Sequence, residues 1–166
     1  MSKSPPKDLL TSIAGREPIS ADMILNSGFD INAFGDGSER TLLLAAAYGD
    51  RSDLIRELVS HGARIELGNA FEGTALIVAA THGNLDAVKT LLDLGANLEA
   101  QTEQGVTPLI VAAAWGNREV VDLLIARGAN VHHRDNRGDT ARTIAEEKDE
   151  HQIAEVLKAA EAADRN

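Results

Sequence analysis

The chain contains no cysteine. A disulfide framework, a thiolate zinc site and a cysteine nucleophile are therefore all excluded. Aromatic residues are nearly as scarce, with one Trp, one Tyr and three Phe among 166 residues. A core built from this composition has to be aliphatic. Alanine and leucine supply it, and they favour closely packed helices over a β-sandwich. No stretch approaches the roughly 18 consecutive apolar residues of a membrane span. The opening "MSKSPPKDLL" has no apolar run of the kind a signal peptide carries, so a cytoplasmic protein is the default expectation. Positive charge is also short, with 16 Lys and Arg against 26 Asp and Glu and a formal net charge of −10. The acids are spread along the chain, which disfavours nucleic acid and anionic membranes and makes a basic protein the easier partner.

What the chain does have is a period. Gly62, Gly95 and Gly128 stand 33 residues apart, and an Ala follows each. Thr41, Thr74, Thr107 and Thr140 step by the same interval. Each unit reads as two short helices and a loop. In "TPLIVAAAWGN", Thr107 can cap a helix, Pro108 suits its first turn, and Gly116 ends it. In "NREVVDLLIARGA", Asn117 can cap a second helix, whose Val120, Val121, Leu123, Leu124 and Ile125 form one apolar face. Gly128 fits a left-handed helix end, and the polar run to Gly138 fits an exposed connection. Asp86 and Asp122 are expected in the first turns of second helices, favoured there by the helix dipole.

"GVTPLIVAAAWGNREVVDLLIARGANVHHRD" resembles the ankyrin repeat in register: Gly, Thr-Pro-Leu, Ala-Ala, Gly-Asn, Val-Val, Leu-Leu and Gly-Ala-Asn. The match is strong over residues 36–135, decayed over 136–163 and weak but phased over 5–35. The resemblance implies an all-α repeat solenoid of about five helix-turn-helix units joined by β-hairpin-like loops. It would be a single domain over 1–166, with an N-terminal cap at 5–35, repeats at 36–68, 69–101 and 102–134, and a C-terminal cap at 135–163. Two departures stand out. Leu44, Ile77, Ile110 and Thr143 occupy the place where the family often has His, so apolar packing is expected to replace a polar network. Gly49 falls one position early against Gly83 and Gly116, so its turn is expected to differ.

No catalytic constellation is visible, no cofactor is implied, and the five histidines show no metal-ligand spacing. Adjacent His132 and His133 would point to opposite sides of a loop as exposed residues. The "GDGS" stretch at Gly35–Ser38 lacks the Gly-Lys-Ser/Thr ending of a phosphate loop and reads as a turn.

The resemblance implies a non-catalytic protein-binding module, monomeric when unbound, that uses its hairpin tips and concave face. The compact chain without a catalytic constellation fits an inhibitor, an immunity-type protein or an adaptor. Mapped by register, the candidate contact residues are Arg40, Phe71, Glu72, Gln104 and Val106 at the tips. At the ends of the first helices they are Tyr48, Thr81, His82, Ala114, Trp115 and Lys148. Glu147, Arg137 and Asp139 share these places. Trp and Tyr are common energetic anchors of interfaces, which favours Trp115 and Tyr48. Phe29 reads as cap packing and Phe34 as an extension of the rim. The competing expectations are a structural spacer whose aromatics merely pack between repeats, and an enzyme with an unrecognised site.

Overall fold

The computed structural model describes residues 4–15, 19–35 and 40–164. Most of the Gly35–Ser38 turn lies outside them. Among the described residues are ten helices: α1 (Lys7–Ala14) and α2 (Ala21–Asn26), followed by four packed pairs, α3 (Leu42–Tyr48) with α4 (Ser52–Ser60), α5 (Ala75–Thr81) with α6 (Leu85–Asp93), α7 (Pro108–Ala114) with α8 (Arg118–Ala126), and α9 (Ala141–Glu147) with α10 (His151–Ala163). The odd-numbered helices stack on one another as an inner layer, and the even-numbered ones stack behind them. This is an all-α repeat solenoid.

Two-turn helices such as α3, α5 and α7 cannot persist alone in water, because helix nucleation is too costly. Burial holds them. Residues 42–47 and 75–80 are all 2% exposed or less, and small Ala residues let successive inner helices approach closely. The outer helices bury one stripe each, Leu54, Ile55 and Leu58 on α4 and Val120, Val121 and Leu124 on α8. A fully buried leucine of this kind contributes about 1.5–3 kcal/mol.

Threonine starts the inner helices. Thr41, Thr107 and Thr140 accept from the backbone N–H three residues on. Thr74 makes no such bond, and its buried hydroxyl has no hydrogen-bond partner. Leu44, Ile77 and Ile110 are buried, as apolar replacement of a polar network requires. Thr143 differs, since its Oγ1 accepts from Thr140 N and closes a capping box.

A Gly-Ala pair follows the outer helices α4, α6 and α8. Ala63, Ala96 and Ala129 donate their N–H groups back to Leu58, Leu91 and Leu124, a bond pattern that places the preceding residue at positive φ. A Cβ on Gly62, Gly95 or Gly128 would meet nothing, so conformation alone selects glycine there.

The turn after α3 does not differ as expected. Asp50 takes the left-handed place (φ 55°) that Gly83, Gly116 and Asp149 hold in the other units, and Arg51 N donates to Ala46 O as Asn84 N does to Ala79 O. Gly49 is small for another reason. A Cβ there would lie 2.7 Å from Ile13 O and 2.9 Å from Ala14 O, because the end of α1 packs onto it.

Two further expectations need correction. Asn117 does not cap α8; its Nδ2 donates to Ala80 O and Thr81 O of the preceding unit, as Asn84 Nδ2 does to Ala47 O and Tyr48 O. Asp122 sits beyond the first turn of α8 and accepts from Arg118. The connections are hairpin-like turns, as the resemblance implies. Asn69 and Gly73 form an isolated bridge, and Thr102–Val106 and Asp135–Asp139 are each closed by one backbone bond.

Candidate partner-binding face

Each inner helix ends on a pair of residues beside the hairpin tip of its own unit, and register puts the pairs of successive units in rows. The structure sorts the eleven candidate residues on these rows and tips into three groups.

Arg40, Tyr48, Glu72 and His82 form one cluster across two units. Arg40 Nε donates to Glu72 Oε2 at 2.8 Å while Nη2 donates to Oε1, a bidentate pair between half-buried side chains. The tip turn fixes Glu72, because Asn69 Oδ1 accepts from the N–H groups of Phe71 and Glu72 and Asn69 Nδ2 donates to the Glu72 carboxylate. The Arg40 guanidinium lies 4.5 Å from the centroid of the Tyr48 ring, within cation–π range. His82 meets the same ring edge-on, with centroids 4.3 Å apart. The Arg40 hydrogen bonds hold the Glu72 carboxyl below its ordinary range, against the opposing effect of burial. Burial first, and the Arg40 charge second, push the His82 imidazole below its ordinary value, with Glu72 pulling it up. Tyr48 is thus packed as well as exposed.

Gln104, Val106, Ala114 and Lys148 form the second group. They line a groove of ≈ 440 Å³ between α7 and α9, together with Ile110, Val111 and Ile144, and with Asp135, Asn136, Arg137 and Glu147 on the tip and helix-end side. The sequence reading missed the groove walls Val111 and Ile144. The signal was present, because they lie 33 residues apart in the column that begins at Val78.

Phe71, Trp115 and Thr81 belong to neither group. Phe71 is 78% and Trp115 67% exposed, so Trp115 is not packed between repeats. It occupies the cap position of α7, one residue before Gly116. Thr81 is half-buried and donates its hydroxyl to Ile77 O. Phe29 packs against the core and Phe34 is exposed.

His133 is not simply an exposed loop residue, since its Nε2 lies 2.8 Å from Gly105 O of the preceding tip, whereas His132 faces Asp164. Among the described residues no three His, Asp or Glu side chains are placed to hold a metal ion, and no helix is long and apolar enough to cross a membrane.

The family model for ankyrin repeats matches three overlapping stretches, residues 13–102, 42–135 and 94–166. No curated protein matches the chain. One repeat type therefore runs through most of the sequence and accounts for its paired helices, and the chain belongs to the ankyrin repeat family.

Proposed function

We propose that the chain, taken as one repeat domain over residues 1–166 with end units at 5–35 and 135–163, is a non-catalytic, cytoplasmic binding module. It takes a protein partner on its concave face and hairpin tips, as an inhibitor, an immunity-type protein or an adaptor. Ankyrin repeats are in general protein–protein interaction modules and not catalysts. The observation that carries the reading for this chain is the exposure of Trp115 and Phe71. A protein with so few aromatics leaves two of the largest in water on the face where register places contacts. Exposed aromatic anchors of this kind dominate binding energy where they are found in interfaces.

The test is affinity capture from the native lysate with wild type and Phe71→Ala/Trp115→Ala, both verified as folded by circular dichroism. The double variant is expected to lose at least about 2 kcal/mol of binding, a drop near thirtyfold. Equal capture by both baits would remove the aromatic face from the reading and favour a spacer.

A further inference from the structure

The two halves of the concave strip differ in what they leave unsatisfied. Near Tyr48 the molecule supplies its own partners. The Arg40 guanidinium covers the ring, and Glu72 takes its N–H edge. Near Ala114 nothing comparable is supplied. The groove there is walled by Ile110, Val111 and Ile144. Of its charged residues, Arg137 is neutralised by Asp135 and Asp139. Glu147 and Lys148 stand exposed at the end of α9 and, among the described residues, make no ion pair or side-chain hydrogen bond. Trp115 follows Ala114 and has, among the described residues, no ring contact and no acceptor for its indole N–H.

We propose that this groove takes an extended cationic segment of the partner protein. An aliphatic side chain sits on Ile110, Val111 and Ile144, and a neighbouring arginine or lysine lies on Trp115, held by the carboxylates at the end of α9. The proposal rests on the protein-binding reading above and narrows it to one end of the face and one chemistry. Three observations support it. The volume suits one or two side chains and falls at the small end of ligand pockets. Residues 146–150 read EEKDE, and since Arg142 pairs with Glu146, three carboxylates stand against one ammonium there, on a chain of net charge −10. That field attracts cations and repels an acidic segment. The same face already holds a guanidinium over an aromatic ring at Arg40 and Tyr48, and indole is the better cation–π acceptor.

The experiment uses the full chain and fluorescently labelled short peptides in Gly-Ser frames, read by polarisation at low salt. One peptide carries Arg-Leu-Arg, a second Glu-Leu-Glu and a third Arg-Gly-Arg. The first is expected to bind at least about tenfold more tightly than the other two, as one aliphatic anchor and one desolvated cation–π contact allow. Glu147→Lys and Trp115→Ala, each shown to be folded, are expected to weaken it several-fold, and Lys89→Ala, at an exposed position on the outer helix α6, to leave it unchanged. Tighter binding of Glu-Leu-Glu, indifference to the leucine, survival of binding in both weakening variants, or no binding of any peptide would each overturn the proposal. A partner captured through Phe71 and Trp115 despite such a result would leave the broader reading standing. Failure of both experiments would remove both.

Discussion

At the scale of single residues, two titrating neighbours of the Arg40 guanidinium shift in the same direction. Glu72 and His82 are both harder to protonate in the folded protein than in the unfolded chain, the first because Arg40 binds its carboxylate and the second mainly because of burial. Protons therefore favour the unfolded state at both sites, and stability falls as pH is lowered. The His82 contribution is complete above its ordinary value of 6.5 and is lost as pH falls through the lower folded value. The Glu72 contribution is complete above 4.5 and is lost in the more acidic range. Comparing urea midpoints near pH 7.5 and near pH 5.5, wild type is expected to lose more stability than His82→Gln. The difference should be a few tenths of a kcal/mol, because the imidazole is largely solvated. Identical losses would show that the imidazole is not held below its ordinary value. Register alone located Tyr48 at a helix end. It could not reveal the ring's partners, because Arg40 reaches in from a tip and His82 from the next unit, and side-chain conformation rather than period decides such contacts.

At the scale of elements, the period made the helices legible because each marker has a local cause. Threonine with extended backbone (ψ 166–170°) aims its hydroxyl at the third N–H of the helix it starts. Asn84 and Asn117 precede outer helices, and Asn117 reads as a cap in sequence. Their ψ values of 79° and 69° turn the amide away from that role and toward the preceding unit. There it donates to the carbonyls that end α3 and α5, groups a helix cannot satisfy for itself. Asn117→Asp separates the two roles. An aspartate would serve equally well as a cap of α8, but it has no N–H to give to Ala80 O and Thr81 O. The substitution is expected to cost about 1–3 kcal/mol in urea unfolding. A neutral result would assign Asn117 to its own helix. The sequence also misled at Gly49, whose place one position early in the register suggested an altered turn. The cause was the end of α1 lying against it, a contact between units invisible to local patterning.

At the scale of the whole molecule, stability passes from neighbour to neighbour, so each end needs a pair of helices that meets water on its far side. The last pair shows how this is done. Glu150 stands in the column of Asn84 and Asn117 with no N–H to donate, and Arg142 ties α9 to α10 through the buried Glu161. A chain stopped at Arg134 would uncover the sides of α7 and α8 on which α9 and α10 pack. That fragment is expected to associate or precipitate, and light scattering after size exclusion will show it. A soluble monomer would mean that the last pair is not acting as a cap. The exposure of Trp115 reaches beyond these questions, because it is the protein's sole indole and already lies in water. Its emission in the native state should resemble that of the unfolded chain, so denaturation will move the spectrum little. Anything that settles over it will shift the light to the blue. The molecule carries a lamp nearly blind to folding and sensitive to touch.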